Sequence, residues 1–343
     1  MIWLAWRQFR TQILGAAGVL VALAIVLAVT GPHLVSVADG YLKLCRADKD
    51  CGVTNNPVLS TDPRLESALN VLAIVLPALI GIFWGAPLIA RELETGTYRL
   101  SWTQSVTRTR WLAVKVGVVG LVSVVVSGLF SLMVTWWSSP IDRANLDQFG
   151  PTFSQRDITP IGYTVFAFAL GVTAGVLIRR TVPAMATTLV AFVAAREAVT
   201  FGLRPHLLPP KHLVSAITSL NQIGFNLSPS GLQAVGNTPN IPNAWVISSG
   251  FVSRSGQAPT AQYLKSACPK LLNGPPGGGP SGGAPPTAFR QCAAKLAARF
   301  HEVVTYQPAN RFWAFQGIET AIFIVVALLL VALSFWWVRR RLS

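Results

Sequence analysis

The chain has 343 residues, of which 12% are charged and 52% hydrophobic, and its formal net charge is +15. A water-soluble domain carries about 25% charged residues, so this composition, with a mean hydropathy of +0.49, excludes an ordinary soluble protein. The basic excess could signal nucleic acid, but it sits in short segments on alternate sides of long apolar runs, which is the orientation pattern of membrane proteins. Nucleic acid is therefore not an expected partner.

The chain opens with MIWLAWRQFRTQ, where Ile2, Trp3, Trp6, Phe9 and Ile13 fall at helical spacing against Arg7, Gln8, Arg10 and Gln12. Residues 1–12 are expected to form an amphipathic connecting helix on the inner leaflet. Six apolar runs follow, at 13–30, 69–90, 112–137, 161–178, 182–203 and 314–338. Each is close to the roughly 20 residues that cross a ~30 Å hydrocarbon core as helix. The first is too long for the h-region of a cleaved signal peptide. Lys115 is close enough to the start of the third run to snorkel to the interface. The fourth and fifth runs are separated only by Arg179, Arg180 and Thr181, which predicts a tight helical hairpin. The sixth carries Gln316 and Glu319 near its start and closes with Phe335, Trp336 and Trp337 before Arg339, Arg340 and Arg341.

The basic short loops place both termini in the cytoplasm, in a multi-pass protein of the cell membrane whose surroundings are lipid. The fold class is an all-α polytopic membrane protein: six transmembrane helices, an N-terminal amphipathic helix, a cytoplasmic coupling helix, and an extracellular domain between helices 5 and 6. Transmembrane helices 1 to 5 occupy 13–203, the extracellular domain 204–313, and the sixth helix with its basic tail 314–343.

All four cysteines, Cys45, Cys51, Cys268 and Cys292, fall in outer segments under this topology. An oxidising side permits disulfides. The nearest pairing is Cys45 with Cys51 and Cys268 with Cys292, although three connectivities are formally possible. Neither pair has zinc-ligand spacing, so no metal is expected. Within 204–313, GPPGGGPSGGAPP from Gly274 to Pro286 reads as a mobile loop. Thr287 to Val304 has helical periodicity through Phe289, Ala293, Leu296, Phe300 and Val303, predicting an external helix that returns the chain to the bilayer.

Two stretches carry candidate functional residues. RELETGTYRLSWTQSVTRTRW, from Arg91 to Trp111, is more amphipathic than a passive connector requires. In the fifth run, Arg196 and Glu197 are charges within lipid depth, which costs about 2.5–3.5 kcal/mol at mid-bilayer, so such residues usually face protein or water. As sequence neighbours they point to different sides of the helix and each needs another partner.

These residues resemble the membrane subunits, or permeases, of ABC transporters of the ABC-2 (type V, ABCG-like) class, especially short actinobacterial permeases. The resemblance rests on WLAWRQFRTQ, on RELETGTYRLSWTQSVTRTRW, on YQPANRFWAFQGIETAIF followed by FWWVRRRLS, and on the order of the runs. It implies an exporter of a drug, lipid or peptide, multidrug efflux included, built from two copies of this chain and two separate ATPase subunits. The coupling role would fall on Arg91, Glu92, Glu94, Gly96, Thr97, Arg99, Trp102 and Thr103, with Glu92 and Glu94 accepting hydrogen bonds from the ATPase. The substrate path would be lined by the second and fifth helices, through Phe83, Trp84, Phe192, Phe201, Arg196 and Glu197. No GxxxxGK[ST] phosphate loop occurs, so ATP and Mg are expected on the partner ATPase and no cofactor on this chain, which is not an enzyme by itself. The alternative is a membrane receptor or sensor using the extracellular domain to bind a ligand.

Overall fold

The computed structural model describes residues 2–47, 56–96, 107–145, 148–149, 153–217, 223–228, 231–236, 241–268 and 286–341. The chain divides into two compact units, Met1–Leu207 with Phe312–Ser343, and Leu208–Arg311. Among the described residues of the first unit, six helices are long and apolar enough to cross a membrane.

The first helix runs unbroken over Ile2–Ala47, about 69 Å at 1.5 Å per residue. The expected break between an amphipathic helix at 1–12 and a span at 13–30 is absent, and no Gly or Pro interrupts Trp6 to Ile13. The helix also passes through Gly31 and Pro32, where the apolar run suggested an end. Packing accounts for this continuation. Leu20, Leu27 and Leu34, spaced by one heptad, are buried with Ala38 against Val126, Phe130, Val134 and Trp137 of the third helix, Arg108–Asn145. Across the same contact, Trp137 Nε1 donates to Thr30 Oγ1 at 3.0 Å, and the Trp136 indole fills the space beside Gly31.

The second helix comprises Pro63–Ile80, a π-helical turn Gly81–Gly85, and Ala86–Thr95. It packs backbone to backbone on the fourth, Thr159–Ile178. A Cβ on Gly171 would lie 2.3 Å from the Gly81 carbonyl oxygen, and one on Gly175 would lie 2.6 Å from that of Ala86. Small residues are what permit such an approach between helices in lipid. The fourth helix is the most enclosed, with 72% of its apolar window buried, so it forms the centre of the bundle.

The fifth helix begins at Thr181, continues as α-helix to Glu197, and ends through a π segment, Ala198–Leu203, and a 3₁₀ turn, Arg204–His206. The sixth spans Phe312–Arg341. The alternating course places the start of the first helix, Gly96, the Arg179–Arg180 turn and the end of the sixth helix at one end of the bundle, here the terminal end.

The second unit is where the helical expectation needs amendment. It contains a three-stranded antiparallel sheet ordered β1 (Lys211–Ser215), β5 (Phe300–Gln307), β4 (Trp245–Ser253), and a hairpin of β2 (Ile223–Ser228) with β3 (Gly231–Gly236). The external helix expected over Thr287–Val304 stops at Ala297. Phe300 to Gln307 instead form the central strand, since Val303, Val304 and Thr305 are β-branched and find partners on both sides. Ala293, Leu296 and Phe300 join Phe251 and Leu264 in the unit's core. Cys268 and Cys292 are disulfide-bonded across it. Cys45 is also in a disulfide, while Cys51 and most of the Gly274–Pro286 stretch lie outside the described residues.

Candidate functional site

Two polar assemblies interrupt the apolar bundle. The first lies at the terminal end, around the exit of the second helix. Glu92 forms an ion pair with Lys115 of the third helix, and Lys115 is buried, 5% exposed, with the Trp111 ring 5.1 Å from its ammonium. The snorkelling expected for Lys115 is thus replaced by pairing: leaving the charge alone in the core would be costly, and Glu92 lies one turn from the end of the adjacent helix. Glu94 Oε2 accepts from both the Thr181 backbone N–H, at 3.0 Å, and its hydroxyl, at 2.7 Å. The helix then ends on Gly96 in the left-handed region, φ +74°, with open space around it. That conformation favours glycine.

Both carboxylates expected to meet an ATPase are therefore engaged within the chain. Arg91 is exposed at the same end. Thr97, Arg99, Trp102 and Thr103 lie outside the described residues.

The second assembly lies near the opposite end. Arg204, closing the fifth helix, donates Nε to Glu319 Oε2 at 2.8 Å and Nη2 to Glu319 Oε1 at 2.7 Å. Its Nη2 also reaches Ser154 Oγ at 2.6 Å and Tyr163 Oη at 3.3 Å. The Tyr163 hydroxyl donates to Glu319, and the Phe153 ring stacks 4.8 Å from the guanidinium. One turn earlier on the sixth helix, Gln316 accepts from the Thr159 amide at 3.1 Å and donates to the Phe153 carbonyl at 2.8 Å. Glu319 and Gln316 are fully buried, so this network ties the fourth, fifth and sixth helices together. Just outside the spans, Arg156 pairs with Asp142 and donates to the Gln148 carbonyl at 2.8 Å. Burial pulls its guanidinium below the usual range, with Asp157 opposing the shift.

Arg196 and Glu197 separate as their spacing requires. Arg196 is buried, donates to the Ile74 carbonyl at 3.2 Å and sits 4.9 Å from the Tyr163 ring, whereas Glu197 is exposed on the bundle surface. The aromatic candidates divide similarly. Phe192 is in the core with Phe166 and Phe323, and Trp84 is partly buried against the cluster formed by the first and third helices. Phe83 and Phe201 are 52% and 75% exposed. Arg204, Tyr163, Ser154 and Thr159 were not singled out from the sequence. The available signal was Gln316 and Glu319 at i and i+3 within an apolar run, which demands partners at the same depth.

Six apolar helices joined in this way, with Glu92–Lys115 and Arg204–Glu319 paired across them, define a polytopic membrane protein. Residues 17–204 match the model of the family described as ABC-2 membrane transporter related. That match covers more than half of the chain, and the chain belongs to this family; it is a membrane subunit of an ABC transporter, and the family implies association with an ABC ATPase subunit. No match is found among curated proteins or among solved structures.

Proposed function

We propose that this chain forms the transport path of an ATP-driven exporter of a hydrophobic or amphipathic molecule such as a drug, lipid or peptide. Two copies pair, and two separate ATPase subunits, carrying ATP and Mg, dock on the terminal end, which faces the cytoplasm. Closure of the ATPases pushes the segment from Arg91 to Trp111 and switches the path from inward-facing to outward-facing. The 208–311 unit then lies outside, consistent with its disulfide.

The observation that carries this reading is the family match across 17–204, which takes in most of the first helix, the second to fourth, nearly all of the fifth, and the segment after the second. Within it, the exposed positions Phe83, Phe201 and Glu197 support a path on the second and fifth helices. The buried positions of Phe192 and Arg196 support structural roles for those two. A carboxylate at lipid depth is stable only where water or protein covers it, so the exposed Glu197 fits a water-lined or subunit-covered face better than a lipid-facing one.

The test is purification of the tagged chain co-expressed with the ABC ATPase encoded beside it, followed by reconstitution in lipid. Co-purification with vanadate-sensitive ATP hydrolysis several-fold above the ATPase alone is expected. An ATPase that stays unbound, with hydrolysis unchanged by the permease, would overturn the reading.

A further inference from the structure

The fifth helix starts without a cap of its own. Arg179 turns the chain in the left-handed region, φ 59°, Arg180 is extended, and the Arg180 side chain makes no capping bond to the first turn. The first amides of a helix have no intrahelical acceptor and favour a negative group nearby. Glu94, from the last turn of the second helix, supplies that acceptor to the Thr181 amide and hydroxyl together. It does so two residues before Gly96, whose left-handed turn leads into the segment assigned to coupling.

We propose that Glu94 is a positioning residue that carries movement of the coupling segment into the fifth helix, acting as a hydrogen-bond acceptor for Thr181 and not as a docking charge for the ATPase. This rests on the permease reading above. Glu92 cannot share the task, because its bond leads to Lys115 and the third helix. Elsewhere the second helix is locked to the fourth by glycine contacts that leave no room to slide. The Glu94 bond is exposed and replaceable, so it is suited to following a displacement of the last turn.

The geometry permits a test that separates acceptor from charge. Thr181→Pro removes both donors yet is compatible with the first position of a helix, since proline there loses only an amide without an intrahelical partner and the preceding Arg180 is already extended. Glu94→Gln keeps an acceptor oxygen and loses the charge, and Glu94→Ala loses both. Each is placed in a Leu203→Cys background, Leu203 being 43% exposed at the end of the fifth helix far from Thr181, where a thiol can ionise and react. Among the described residues no cysteine is free to compete for the label. Maleimide labelling of the reconstituted complex with its ATPase is compared with and without ATP and vanadate.

The expected result is a labelling rate that changes several-fold on trapping in the parent and in Glu94→Gln. In Glu94→Ala and Thr181→Pro it does not change, while the amount of bound ATPase stays the same. The double variant Glu94→Ala with Thr181→Pro is no worse than either single one. A normal response in Thr181→Pro, a Glu94→Gln defect equal to that of Glu94→Ala, or a parent insensitive to trapping overturns the proposal alone. Failure of the parent to bind any ATPase overturns the permease reading, and this proposal with it.

Discussion

Arg204 grips Glu319 through two side-by-side hydrogen bonds of 2.8 and 2.7 Å, joining residues 115 positions apart in the sequence. Glu319 is fully buried, and Tyr163 completes its surroundings. Removing one partner leaves the other charged in the core, at a cost of about 3–5 kcal/mol, whereas replacing both by apolar residues of similar volume is often close to neutral. Glu319→Ala should therefore lower the thermal midpoint of the purified protein in detergent markedly, and Arg204→Met with Glu319→Leu should recover most of the loss. A Glu319→Ala midpoint equal to wild type would contradict this role.

The second and fourth helices make an equally specific claim. A methyl group on Gly171 would collide with the Gly81 carbonyl and the Ala86 amide, at 2.3 and 2.7 Å, while one on Gly117 meets nothing within 4 Å. Overpacking of this kind costs about 1–3 kcal/mol. Gly171→Ala should destabilise the protein in a thermal melt by that order, and Gly117→Ala should leave it unchanged or slightly more stable. Equal behaviour of the two would remove the argument for backbone-to-backbone packing.

In the second unit, Glu302 is buried on the central strand between Ser215 of β1 and Phe251 of β4. Burial pushes its carboxyl above the ordinary value of 4.5, and the Ser215 hydroxyl opposes this only in part. Between 4.5 and the raised value the folded unit binds more protons than the unfolded chain, so stability falls as pH rises through that window. It is greatest below the window and levels off above it. Hydrogen exchange of the Phe300–Gln307 peptide in the intact protein, corrected for intrinsic rates, should show protection decreasing from mildly acidic to neutral pH. Glu302→Gln should abolish that decrease and raise protection at neutral pH. A wild-type strand whose protection is flat with pH would count against it.

The number and order of the six helices could be read from the sequence because lipid imposes a length of apolar run that few other structures need. Their ends could not. Whether the first helix stops at Gly31 depends on Trp136 and Trp137, more than 100 residues away, and these carry it through Pro32 to Ala47. Lys115 was misplaced for the same reason, since its partner Glu92 belongs to another helix. Arg196 and Glu197 could be assigned to different faces by helical geometry alone, but not which of them the bundle would bury. The strand at Phe300–Gln307 follows a helical stripe that continues into it, and only pairing with β1 and β4 decides between the two.

Native mass spectrometry of the complex purified in mild detergent tests the central claim most directly. The account predicts a species containing two copies of this 36.8 kDa chain and two copies of a separate ATPase, with both ATPase copies lost when the Arg91–Trp111 segment is replaced by a flexible linker. The permease recovered without any ATPase, or an ATPase retained after that replacement, would contradict it.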